Sequence, residues 1–225
     1  MTARIVVLAS GNGSNLQAIL DACAAGTLDG EVVAVVSDQP QARALERAAS
    51  AGVAGVHVVR RDGEPRSDYD ARLADIVSAF SPDWIVLAGW MRILTMSFLG
   101  WFPDMVVNLH PALPGELPGV GAIERALEEF RAGRRTSTGV TVHLVPDAGV
   151  DTGPALATVV VPIEADDTLK SLSGRVHCAE HALLASVLKD LCRRRSNGSA
   201  RDELQGGSSR SEAEAGPDHQ ERMSA

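Results

Sequence analysis

The 225-residue chain is 45% hydrophobic and carries a formal net charge of -8, enough apolar matter for one sizeable core and the wrong sign of charge for a nucleic-acid or polyanion surface. Its three cysteines, Cys23, Cys178 and Cys192, are scattered with no Cys-x-x-Cys pair, which argues against a disulfide framework and a zinc site and for a reducing, cytoplasmic setting. Met1-Thr2-Ala3-Arg4 runs straight into Ile5–Ala9, too short for a cleaved signal sequence, and nothing later is long and apolar enough to cross a membrane.

Ile5 to Ala9 is a continuous apolar run of the kind a strand buried on both faces of a parallel sheet requires. Ser10-Gly11-Asn12-Gly13-Ser14-Asn15 follows, then Leu16, Ile19 and Leu20 at helical spacing, with Ser14 and Gln17 placed as a capping box. Glycines there let backbone approach a ligand closely, and the free N–H groups of a first helical turn suit a phosphate whatever the net charge. A tight strand-to-helix turn with no ligand explains the same residues. The loop lacks the third glycine of a dinucleotide Gly-x-Gly-x-x-Gly and the Gly-Lys-Ser/Thr of a Walker loop, so a nicotinamide oxidoreductase is only the generic alternative.

Glu31 to Ser37 reads as a second strand, Gln41 to Ala51 as an alanine-rich helix ended by Gly52, and Val56 to Val59 as a third strand. Ser67 and Asp70 look like an N-cap and its partner for a helix through Phe80, striped by Leu73, Ile76, Val77 and Phe80, with Arg66 just before it. Pro82-Asp83 breaks that helix, and Trp84–Ala88 is a fourth strand ending at Gly89-Trp90-Met91-Arg92. Met91 and Ile93 suit either an apolar pocket or plain core. The alternation βαβαβ implies a Rossmann-like, mostly parallel sheet with helices on both faces and a ligand crevice at the strands' carboxyl ends.

Val106-Val107-Asn108-Leu109-His110-Pro111 ends an apolar strand with an amide and an imidazole. Side chains alternate along a strand, so Asn108 and His110 share one face while Leu109 points back to the core. Pro111 cannot continue a central strand and places both at its carboxyl end. A polar strand end making local hydrogen bonds fits these residues as well. The stretch 111–121 is too rich in Pro and Gly for a regular element. Ile123 to Ala132 reads as a helix, and Thr138 to Leu144 as a strand whose His143 reads as a hydrogen-bonded structural histidine, with a catalytic role as the alternative. A polar loop Asp147–Pro154, a strand Ala155–Ile163 and a helix from an Asp166-Asp167 cap to about Leu191 complete the pattern. One domain, 1–192, is expected, followed by a disordered tail, 193–225, whose Ser-, Gly- and Glu-rich composition has no apolar stripe to bury.

Gly11-Asn12-Gly13-Ser14-Asn15, Gly89-Trp90-Met91-Arg92-Ile93-Leu94, Asn108-Leu109-His110-Pro111-Ala112 and Asp147-Ala148-Gly149-Val150-Asp151-Thr152-Gly153-Pro154 together resemble the phosphoribosylglycinamide formyltransferases, across about residues 4–191. The resemblance implies transfer of the formyl group of 10-formyltetrahydrofolate, a co-substrate, to the amine of 5'-phosphoribosylglycinamide in purine synthesis, without metal, by a monomer or homodimer whose partners are these small molecules. It makes Asn108, His110 and Asp151 the catalytic three. Gly13, Ser14 and Asn15 would hold the phosphate, with His177 and Glu180 near the ribose. Met91, Arg92, Ile93, Leu94 and Asn108, with backbone near Val142 and Asp147, would line the folate site, and Arg66 would face the glutamyl tail of the folate or the substrate phosphate. Two departures stand out: Pro118-Gly119-Val120-Gly121 replaces the family's usual Pro-Gly-x-His, and the final strand common after the long helix is not recognisable. The alternatives are a 10-formyltetrahydrofolate hydrolase, in which water replaces the amine, and a nucleotide-binding relative without activity.

Overall fold

A computed structural model of the chain describes residues 2–206, with side chains described as far as Arg195. Seven strands, β1 (Ala3–Leu8), β2 (Gly30–Ser37), β3 (Ala54–His57), β4 (Trp84–Leu87), β5 (Val106–His110), β6 (Ser137–Leu144) and β7 (Ala155–Pro162), form one sheet in the order β3-β2-β1-β4-β5-β6-β7. It is parallel from β3 through β5, and β6 and β7 are antiparallel additions. The chain reverses its direction of winding between β1 and β4, and a crevice opens at the carboxyl ends of strands flanking such a point.

Strand alternation divides the core into two layers. Ile5 and Val7 of β1 face α1 (Ser14–Ala24), α5 (Ala122–Arg131) and α6 (Leu169–Gly206), packing with Leu16, Ile19, Leu127, Leu172 and Leu184. Val6 and Leu8 face the other side, where α3 (Arg66–Ser78) and the single turn α4 (Met96–Leu99) contribute Tyr69, Leu73, Val77 and Phe98. The remaining helix, α2 (Arg43–Ser50), lays Ala44 and Ala48 against the first layer. The sheet thus carries helices on both faces, as its parallel part requires.

Several local expectations are corrected. α1 has no capping box: Gly13 is its N-cap with φ 72° and no side-chain cap, while the Gln17 side chain bonds Asp21 and Arg47. Ser67 and Asp70 do not cap α3, which starts behind Pro65. Asp70, 1% exposed, turns across the layer and accepts the Thr95 N–H at 2.6 Å, closing the start of α4. α6 begins one residue later than expected, with Thr168 and Ser171 exchanging side-chain and backbone bonds at 3.0 and 3.1 Å, a capping box. β3 lies two residues earlier than the reading of Val56–Val59 placed it. α6 also continues past Leu191, the expected end of the helix, with Arg195 ion-paired to Asp83 at 3.0 Å. The tail beyond Gly206 lies outside the described residues.

Candidate active site

β5 ends at His110, with Val107 and Leu109 in one core layer and Asn108 and His110 on the opposite face. Antiparallel pairing then sets His143 of β6 directly beside Asn108. The connection between β6 and β7 is closed by the Leu144 N–H on the Pro154 carbonyl, 3.0 Å, and bonded to β5 by the Val145 N–H on the Val106 carbonyl, 2.9 Å. This folds Asp151 back over the end of β5. Asp151 takes φ 55°, a left-handed conformation that Asp tolerates better than most residues.

Four side chains and a backbone N–H meet there. Asn108 Nδ2 donates to Asp151 Oδ1 at 3.0 Å and lies 3.1 Å from His143 Nε2. Asp151 Oδ2 accepts the Gly119 N–H at 2.9 Å and faces His110 Nδ1 at 3.3 Å. His143 Nδ1 donates to the Leu144 carbonyl at 2.8 Å, and its Nε2 lies 3.7 Å from Asp151 Oδ1. His110 Nε2 donates to the Leu117 carbonyl at 3.0 Å. Burial presses the Asp151 carboxyl toward its neutral form, but the neighbouring His143, the Gly119 N–H and the His110 ring outweigh it. Its pKa therefore lies below the ordinary carboxylate value and it is ionised at neutral pH.

A cavity of about 460 Å³ opens beside this cluster, lined by Asn108, His110, His143 and Asp151 on one side and by Met91, Arg92, Ile93 and Leu94 on the other, with Asp147 at its edge. Met91 and Ile93 are exposed within it, an apolar wall for a flat ring system. Arg92 also salt-bridges the buried Asp38 at 2.8 Å and stacks on Tyr69. Arg66 lies outside the walls and bonds the Ile93 carbonyl, so it shapes the wall from behind. Val142 is fully buried in the core and its side chain does not reach the cavity.

Gly13, Ser14 and Asn15 stand at the start of α1, beyond the end of β1. A side chain at Gly13 would meet the Ala44 backbone and Cβ at 2.9 Å, so close packing on α2 as well as the positive φ demands glycine. Arg47 of α2 holds the Asn12 carbonyl at 2.8 Å and its side-chain oxygen at 3.1 Å. Asn15 Nδ2 bonds Glu180 Oε2 at 3.1 Å, which His177 Nδ1 also reaches at 2.9 Å. The five residues expected at the nucleotide end are thus close, and Asn15 Oδ1 is a buried acceptor with no protein partner. Ser10 bonds this loop to the cavity wall: its N–H reaches the Gly89 carbonyl and its Oγ accepts the Met91 N–H, both at 3.0 Å.

Sequence reasoning missed His143 as a member of the cluster, and it missed Gly119. Alternation marks Thr138–Leu144 as a strand, but only the β5–β6 register sets His143 beside Asn108.

A family model described as formyl transferase matches residues 3–188. The phosphoribosylglycinamide formyltransferase of Schizosaccharomyces pombe is 41% identical over 203 residues, covering 85% of this chain and 98% of that protein. The enzyme of that name from Mycobacterium tuberculosis is 42% identical over 189 residues, covering 84% and 85%. The crystal structure of glycinamide ribonucleotide transformylase 1 from Symbiobacterium toebii matches with TM-score 0.81 at 39% identity, covering 86% of this chain and 89% of that one. The chain belongs to the formyl transferase family. Within that family it is similar, over most of its length, to the phosphoribosylglycinamide formyltransferases.

Proposed function

We propose that the chain transfers a formyl group from 10-formyltetrahydrofolate to the amine of 5'-phosphoribosylglycinamide, a step of purine biosynthesis. The observation that carries this reading is the meeting of Asn108, His110 and an ionised Asp151 at the end of β5, beside an apolar cavity, in a member of the formyl transferase family. The cavity wall of Met91, Arg92, Ile93 and Leu94 receives the folate ring. The Gly13–Asn15 turn, with the positive end of α1 behind it, receives the phosphate, and Glu180 with His177 receives the ribose hydroxyls.

The amine nitrogen attacks the formyl carbon, and the carbonyl electron pair moves onto oxygen. Donors already in place stabilise that negative oxygen more than they stabilise the substrate. Asn108 Nδ2 is one, and the Nδ1–H of His110 in its imidazolium form, facing Asp151, is the other. Asp151 accepts the proton shed by the amine, directly or through a water. The oxygen's electron pair then re-forms the carbonyl, the bond from carbon to the folate nitrogen breaks, and that nitrogen takes the proton held by Asp151, directly or through a water.

The purified chain, given both substrates, should yield the formylated ribonucleotide, detected by mass spectrometry as a gain of one formyl group. No formylated product at any ratio of the two substrates would remove this reading.

A further inference from the structure

We propose that Arg125 is a positioning residue for this reaction, setting both His110 and Asp151 through the backbone of residues 117–120. The inference rests on the assignment of those two groups to the chemistry.

The loop between β5 and α5 has no ladder of its own to shape it. Leu117 sits in it at φ 46°, a left-handed conformation that costs a branched side chain about 1–2 kcal/mol and persists only where its surroundings enforce it. The enforcing group is Arg125, in the first turns of α5. Its Nη2 lies 2.8 Å from the Leu117 carbonyl, 2.7 Å from that of Pro118 and 3.0 Å from that of Val120. Charge-assisted bonds of this kind are about twice as strong as neutral ones. The side chain is half-buried, and its Nε is buried without a protein partner, so the carbonyls gathered at one end are what fix it. A second arginine clamps the same loop farther back, where Arg135 bridges Glu116 at 3.0 Å and Glu129 at 2.8 Å.

What the clamp holds is the point. The Leu117 carbonyl that accepts from Arg125 also accepts from His110 Nε2 at 3.0 Å. Committing Nε2 to that carbonyl leaves Nδ1 as the nitrogen facing Asp151 and the reacting space, the way a second partner fixes which imidazole nitrogen works. The Gly119 N–H lies between the Pro118 and Val120 residues whose carbonyls Arg125 gathers, and it points at Asp151 Oδ2, 2.9 Å away. That bond is one of the contacts that keep Asp151 charged. One cation outside the cavity walls therefore orients the imidazole and supports the carboxylate. The titratable groups facing Asp151 are His110 from β5 and His143 from β6, with Asp147 lining the same cavity from its own loop. Loss of the loop contact removes the Gly119 donor from Asp151 but none of these groups.

The test is Arg125→Ala and Arg125→Lys in the full chain, with kcat, both KM values and the pH dependence of kcat/KM measured beside thermal melting. In Arg125→Ala, kcat should fall roughly 10- to 100-fold, the scale of misplacing a reacting group by an ångström, while both KM values stay within a few-fold. The acid limb of kcat/KM should move to higher pH. The Gly119 N–H holds the Asp151 pKa down, so its loss raises that pKa, and protonation disables the enzyme earlier as pH falls. Arg125→Lys, with one compact ammonium in place of the fork, should recover part of both effects. If Arg125→Ala melts below the assay temperature, Arg125→Lys alone decides by the same two readouts. A cooperatively folded variant with kcat and acid limb within twofold of the parent overturns the proposal. Asp151→Asn separates the two layers: if it abolishes the rate while Arg125→Ala leaves kcat and the acid limb within twofold of the parent, the positioning role fails alone, and if Asp151→Asn is active, the assignment of Asp151 fails first.

Discussion

Replacing Asp151 by Asn changes one atom and two hydrogens, and the structure shows where the cost falls. Both carboxylate oxygens are acceptors: Oδ1 takes Asn108 at 3.0 Å and Oδ2 takes Gly119 at 2.9 Å while facing His110 Nδ1 at 3.3 Å. An amide has one acceptor and one donor, so in either orientation its NH₂ meets a donor, Asn108 Nδ2 or the Gly119 N–H. One hydrogen bond is lost and a partner is left unpaired, about 1–3 kcal/mol. In a chain of this size that is a fall of roughly 2–4 °C in Tm per kcal/mol. The backbone need not move, because Asn accepts the left-handed φ of this position as readily as Asp. The rate should suffer far more than the fold. Loss of the proton acceptor costs about 10² to 10⁴ in kcat, and the missing charge also weakens His110 as a donor, an effect of about 10² to 10³ alone. The two act on one unit, so the combined loss stays well below the product, and Asp151→Asn with His110→Ala should be little worse than the worse single variant. The assay is steady-state formation of tetrahydrofolate with both substrates varied, alongside melting. Half the parent kcat with both KM values intact would make Asp151 a loop-capping residue and refute the mechanism.

Gly13→Ala should raise the KM for the ribonucleotide and leave that for folate near the parent value, because the new Cβ would press on Ala44 at 2.9 Å and displace the phosphate turn. Equal KM shifts for both substrates would contradict the division of the two sites. Asp70→Ala should cost about 1–2 kcal/mol in denaturant unfolding, the scale of a lost cap, since it strips the Thr95 N–H of its 2.6 Å partner. Stability responds to pH in opposite senses at two groups. Asp151 has a folded pKa below its unfolded value, so its contribution is full above the unfolded value and is lost as pH falls through the folded one; the Tm gap between parent and Asp151→Asn should narrow in acid. His177 has a folded pKa raised by its hydrogen bond to Glu180, so its contribution is full below the unfolded value and lost as pH rises through the folded one; the gap between parent and His177→Ala should narrow in alkali.

The doubly covered sheet was legible because its strands are apolar runs and its helices carry stripes, patterns that burial itself imposes. Asn108 and His110 were legible as a pair through period-two alternation and the stop at Pro111. Their meeting with Asp151 was expected from family resemblance alone, since 43 and 41 residues separate them along the chain and the contact depends on the β5–β6–β7 pairing. His143 read as structural because a single strand cannot reveal which neighbour lies opposite. The caps at Ser14 and Ser67 were misread for a common reason: local spacing favours them, but a positive-φ glycine and a proline already start those helices. Asp70 was taken as a local cap because nothing in the sequence marks the turn at Met96–Leu99 that it serves. The arginine clamp on the 117–120 loop left no signal at all, since its partners are backbone carbonyls.

The most direct measurement of the central claim is the dependence of tetrahydrofolate release on the acceptor. Purified protein with 10-formyltetrahydrofolate alone should release almost none, and adding 5'-phosphoribosylglycinamide should switch release on in step with formylated ribonucleotide. Release at the same rate without the acceptor would mean that water takes the amine's place, and that the chain is a hydrolase.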